Sequence, residues 1–169
     1  MIKPIKKLTA YKKENAQTMV EFALVFPLIL LLTYGIIEFG RMVFIYASVT
    51  SSARSGARYG AASGSVGGTR YYKDCSGIRD ATRSTAFLIT ISDANITISY
   101  DNGPSPTKTW NTCPPLGGNG LDPILLGDRI VVQVHANYEP IIGGFLGVHG
   151  FPITARNART ILLNVEVDQ

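Results

Sequence analysis

The chain is an α+β protein in which a long N-terminal membrane and stalk helix precedes a small domain, with one short helix on a three- to four-stranded antiparallel sheet. Three observations predict this. Phe22 to Ile37 read FALVFPLILLLTYGII, sixteen residues without a charge between Glu21 and Glu38. Ile96, Ile98 and Tyr100 alternate with polar residues, and so do Ile130, Val132, Val134, Ala136 and Tyr138, as half-buried strands do. A length of 169 residues leaves room for one compact domain beside the anchor.

The anchor comes first. As a helix the apolar run spans about 24 Å at 1.5 Å per residue, and Met19, Val20, Phe39 and the Arg41 stem extend it toward the ~30 Å hydrocarbon layer. Its flank sets the orientation. Lys3, Lys6, Lys7, Lys12 and Lys13 face Glu14 alone, and Lys and Arg beside a span are retained on the cytoplasmic side. The domain is then outside. A cleaved secretory signal also begins with a basic stretch and an apolar run, but this run exceeds the usual signal core, and Glu38-Phe39-Gly40-Arg41-Met42 follows it in place of small residues.

Those lysines also account for the net charge of +4, since from Gln17 onward eleven basic residues balance eleven acidic ones. A body without basic excess lacks the electrostatic footprint of a nucleic-acid binder. Beyond Met42 no proline interrupts the helix up to Ala61, and Ser48, Ser52, Gly56 and Gly60 repeat every four residues. Such a row lets a second backbone approach closely. It serves either a contact between subunits or packing of the stalk on its own domain, and spacing does not separate the two. Arg54 and Arg58 read as a solvated face.

Glu21 is the most informative residue. A carboxylate in the end of a spanning helix is costly, about 2.5 to 3.5 kcal/mol at mid-membrane and less near an interface. A cut between Ala16 and Gln17 would place a new α-amino group four residues before Glu21. Neighbouring subunits could then pair amine with carboxylate in a dry environment.

With its lysine-bearing leader, small residue at the cut, Glu at the fifth mature position followed by Phe22, and long apolar helix, the N-terminus resembles a type IV prepilin. More narrowly, residues 15 to 61 resemble the TadE-like pseudopilins of tight-adherence (Flp-type) pilus systems, through Val20-Glu21-Phe22-Ala23-Leu24, Pro27, Glu38-Phe39-Gly40-Arg41 and Ala53-Arg54-Ser55-Gly56-Ala57-Arg58. Ala16 departs from the Gly that many prepilins carry there. The resemblance implies a minor pilin or assembly component, stored in the bacterial cytoplasmic membrane and cut by a prepilin peptidase. Its implied partners are that peptidase, other pilins and pseudopilins, the inner-membrane assembly platform and membrane lipid, with no cofactor. The competing reading is a bitopic protein that keeps its leader and binds a ligand through the outer domain.

Within the span, Pro27 frees the Ala23 carbonyl and allows a bend. Glu38 and Arg41, three residues apart, are expected to pair at the outer interface. The chain thus divides into a leader over 1–16, a membrane and stalk helix over 17–61, a Gly/Ser-rich hinge over 62–74 and an α+β domain over 75–169.

In that last part, Ile78, Ala81, Thr82, Thr85, Ala86 and Ile89 keep helical spacing, which predicts a helix over 76–88. Ile161, Leu163, Val165 and Val167 predict a final strand, with a bulge or exposed start where Asn157 and Arg159 interrupt the row. Between Asp101 and Asp128 lies a Pro- and Gly-rich loop anchored by Trp110. Cys75 and Cys113 are the only cysteines, and an oxidising compartment favours pairing them. Two isolated cysteines without a CxxC offer too few ligands for a metal site.

No catalytic constellation joins these elements. His135 falls on the polar face of its strand and His149 in a loop, and neither GxSxG nor HExxH occurs. The reading is therefore a substrate of enzymes and not an enzyme.

Overall fold

The computed structural model describes residues 13–141, 143, 147 and 149–163, with side chains from Gln17 onward. The leader lysines up to Lys12, and Val165 and Val167 of the expected last strand, lie outside these residues. Two compact units divide between Gly40 and Arg41. Helix α1, Lys13–Gly60, contributes to both.

In the first unit α1 carries the apolar run with its side chains exposed, and Pro27 lies inside the helix. The helix is long and apolar enough to cross a membrane once. In water so much exposed apolar surface would be strongly unfavourable, whereas lipid covers it without cost.

The second unit is built on four antiparallel strands in the order β4-β3-β5-β6. These are β3, Ile96–Asp101; β4, Thr109–Trp110; β5, Arg129–Tyr138; and β6, Phe151–Thr160. Alternation on β3 and β5 turns Ile96, Ile98, Tyr100, Ile130, Val132, Val134, Ala136 and Tyr138 to one buried face. Two helices supply the cover for it. One is α2, Cys75–Ser84, through Ile78; the other is the second half of α1, through Ile45, Val49, Ala53 and Ala57.

The sheet thus has the expected short helix α2 on it and, beside it, the stalk half of α1. The small-residue row of α1 is what permits it. A Cβ added at Gly56 would lie 2.1 Å from Thr82 Oγ1, and one at Gly60 would lie 2.3 Å from Ile130 Cδ1. The stalk therefore packs on its own domain.

Segment 62–74, read from its composition as a hinge, contains a hairpin of β1, Ser65–Val66, and β2, Thr69–Arg70, followed by a single 3-10 turn, Tyr71–Lys73. Gly67 and Gly68 hold φ of +55° and +81° between the two strands. A two-residue hairpin loop with both φ positive selects glycine, so here the glycines specify a turn. Tyr72, directly after it, is buried in the core.

Helix α2 ends at Ser84, before the expected Leu88. Asp74 caps its start, accepting from the Gly77 N–H at 3.0 Å. Past its end the Phe87 N–H donates to Ser48 Oγ of α1 at 2.7 Å, which draws the chain off the helical path.

The last strand also lies earlier than its apolar row suggested. β6 pairs with β5 without interruption from Tyr138↔Phe151 to Arg129↔Thr160, so there is no bulge at Asn157 or Arg159. Ile161 is buried, and its N–H donates to the Asp128 carbonyl at 2.8 Å. Beyond Thr160, β5 has no further residue to pair with, and the ladder stops. As the edge strand, β6 tolerates Pro152, and Arg156 and Arg159 discourage further pairing.

Candidate functional site

The candidate assembly segment begins at Ala16 and Gln17, in the second turn of α1. From Gln17 the side chains are exposed, and Gln17 Nε2 donates to Glu21 Oε1 at 3.2 Å. That bond satisfies one carboxylate lone pair with a neutral donor and leaves the charge in place. Phe22 and Phe26, one turn apart, stack at 5.2 Å between ring centroids. With Pro27 following, the segment presents one carboxylate, two rings and aliphatic side chains on an uncovered helix.

In the second unit, Arg41 Nη1 donates to the Glu139 carbonyl at 2.9 Å, and its guanidinium lies 5.1 Å over the Tyr138 ring. Arg41 is thus held by the β5–β6 connection. Its contact spans 98 residues of sequence, so no local pattern announced it. Ser52, Gly56 and Gly60, candidates for contact between subunits, are all buried within their own domain. Of the two uses left open for that row, the domain occupies it.

Cys75 and Cys113 form a disulfide with Cα atoms 5.8 Å apart. It ties the start of α2 to the long Pro- and Gly-rich loop. The same loop is held again at Asp122, which bonds to the Tyr72 hydroxyl and pairs with Lys73 Nζ at 2.8 Å. Burial, then the Asp122 hydrogen bond, pushes the Tyr72 hydroxyl up to about 12. Trp110 also restrains the loop, since β4 pairs it with Tyr100 of β3.

Sequence reasoning missed Asp101. This buried carboxylate accepts from Arg129 Nε at 2.7 Å and Nη2 at 2.9 Å, with Arg156 at 3.5 Å. Burial pushes its pKa upward, but Arg129, the Gly103 N–H and Arg156 outweigh burial and hold it below the ordinary value. A signal was available. Asp101 and Arg129 are direct cross-strand partners, which only the β3–β5 register reveals.

His135 lies on the strand as expected, with its ring nitrogens bonded to Gln133 Nε2 and Thr154 Oγ1, both at 2.9 Å. His149 is exposed in the β5–β6 connection. Arg54 and Arg58 are exposed and, with Arg159 of β6, line a groove of about 590 Å³ beside α2. These groups include no nucleophile beside a base.

Among the described residues one apolar helix is long enough to cross a membrane and leads into a disulfide-bonded α+β domain, an arrangement that suggests a single-pass membrane protein with a globular module. Residues 16–58 match the family described as TadE-like protein, the family that the motifs around Glu21 and Arg54 resemble. The matched segment contains the candidate assembly residues and most of the stalk. No curated protein matches the chain. No solved structure matches it either.

Proposed function

We propose that the chain is a minor pilin or pseudopilin of a tight-adherence system, stored in the membrane with its lysine-rich leader in the cytoplasm and its α+β domain outside. A prepilin peptidase cuts between Ala16 and Gln17, and the mature helix then packs with those of other pilins. The observation that carries this reading is the TadE-like match over 16–58, within which Glu21 stands exposed on a helix whose apolar surface nothing in its unit covers.

The chemistry supports it in two ways. The bond to be cut lies near the start of α1, where helices fray and a peptidase can reach an extended backbone. Cleavage then creates a cation at the end of a helix whose anion awaits a partner. Ser52, Gly56 and Gly60 are buried in their own domain, so the proposed contact between subunits is assigned to the apolar span before Arg41. Glu21→Leu tests the role of the carboxylate: the variant should be cut at the normal rate yet be missing from assembled material. Normal assembly of that variant would remove the role assigned to Glu21.

A further inference from the structure

We propose that the open edge of β6 receives an extended acidic segment of a partner protein, which adds to the sheet as a further strand and sets its carboxylates against Arg54, Arg58 and Arg159. The inference uses only residues of the unit that begins at Arg41, so it stands whether or not the leader is cut.

Unmatched charge marks the place. Lys73, Arg83, Arg129 and Arg156 each pair with a carboxylate, and Arg79 donates to the Asp93 and Ile96 carbonyls. Among the described residues Arg54, Arg58 and Arg159 have no such partner, and all three are exposed along one groove of about 590 Å³. Arg54 and Arg58 stand one turn apart on α1, while Arg159 comes from β6. The rest of the lining includes the hydroxyls of Ser51, Ser55 and Thr85. Like charges gathered without a counter-ion repel one another, and a bound anion relieves that repulsion. A guanidinium is the cation whose shape best matches a carboxylate.

The ladder gives the anion its form. The Ile161 N–H donates to the Asp128 carbonyl, one step beyond the pair Arg129↔Thr160, so those two residues form a hydrogen-bonded pair. Bonded and non-bonded pairs alternate in an antiparallel ladder, which turns the backbone groups of Arg159, Asn157, Ala155 and Ile153 toward β5. Those of Thr154, Arg156, Ala158 and Thr160 point the other way, where no strand follows, because β6 ends the order β4-β3-β5-β6. Arg159 is the partner of Ile130 in the buried row, so its side chain lies on the face that the helices cover. In an antiparallel addition the residue opposite Arg159 projects to that same face, in the closer kind of cross-strand pair.

A pairing edge and a cationic groove that meet at one strand select an acidic peptide. A free anion or a lipid headgroup would satisfy the arginines and leave the edge N–H groups to water. A second copy of β6 would supply an edge, but it brings Arg156 and Arg159 and no acid, so cations would meet cations. The arginines that discourage pairing with a like strand thus favour an acidic one.

The test uses the full chain in micelles of a neutral detergent. The probe is a synthetic peptide of alternating Glu and Val, compared with the same peptide carrying Gln for Glu. The readouts are anisotropy of the labelled peptide and residue-resolved hydrogen exchange of β6. The acidic peptide should bind and slow exchange at Thr154, Arg156, Ala158 and Thr160 while leaving Ile153 and Ala155 unchanged, and the Gln peptide should bind about tenfold more weakly or worse. Arg54→Gln, Arg58→Gln and Arg159→Gln should each weaken binding about two- to fivefold, the range of exposed ion pairs. Lys108→Gln, at an exposed position beside β4 on the opposite edge, should leave binding unchanged. All four side chains are exposed, so the substitutions leave the core intact. An acidic peptide that does not bind, equal binding of the Glu and Gln peptides, or binding without protection of the four amides would overturn the proposal. Protection of those amides by inorganic phosphate or phosphatidylglycerol in place of the peptide would overturn it in favour of a free anion or a headgroup.

Discussion

Gly56 of α1 faces Thr82 of α2 at a separation that admits no side chain, since a Cβ on the glycine would fall 2.1 Å from the threonine Oγ1. Thr82 cannot yield easily, being buried with its hydroxyl committed to the Ile78 carbonyl at 2.7 Å. The approach of these two residues seats the stalk on the domain.

Gly56→Ala should therefore destabilise the domain. Overpacking a close contact costs about 1 to 3 kcal/mol, while the better helix propensity of Ala returns up to about 1 kcal/mol. A net loss of about 1 to 2 kcal/mol is expected in denaturant unfolding of the full chain in micelles. Gly40→Ala, where a Cβ would meet nothing within 4 Å, should show no such loss. Equal stability of the Gly56 variant and the parent would contradict the packing.

The disulfide closes a span of 38 residues around a loop with little regular structure. Removing it should cost about 4 kcal/mol in the chain-entropy account. Reduction with thiol alkylation, or Cys113→Ser, should lower the unfolding midpoint and open the loop to protease first. Cleavage within 102–127 at the same rate with and without reductant would show that Asp122 and Trp110 alone restrain it.

Asp101 should govern the acid limb of stability. Its pKa lies below the reference 3.8, so its contribution is present above that reference and is lost as pH falls through the depressed folded value. Asp101→Asn leaves Arg129 facing a neutral group, and should cost about 3 kcal/mol or more near pH 7. The gap between parent and variant should narrow below about pH 4. A gap independent of pH would mean that the carboxylate contributes through shape and not charge.

Legibility followed the range of the interactions. The span, β3 and β5 were readable because each repeats one pattern over several residues, as Ile130 to Tyr138 does. Pairing geometry was not readable. Ile161 looked like part of a strand because it is apolar and buried, yet β5 ends opposite Thr160, and Asn157 and Arg159 hid the inward row of β6 that starts at Ile153. Glycine in the sequence did not say which of its uses applied. At 67 and 68 it builds a hairpin where composition suggested a hinge, and at 56 and 60 it admits the protein's own sheet and α2. At the candidate site, Glu21 and its surroundings were legible because a charge beside a long apolar run stands out locally. Arg41 with Glu139 was not, because its partner is distant in sequence.

Whether proteolysis supplies a cation for Glu21 is read at the N-terminus of the protein recovered from cells that contain a prepilin peptidase. Intact-mass and terminal-peptide mass spectrometry should find a chain beginning at Gln17, with the leader through Ala16 gone. A mature chain that still begins at Met1 would show that no cut supplies that cation.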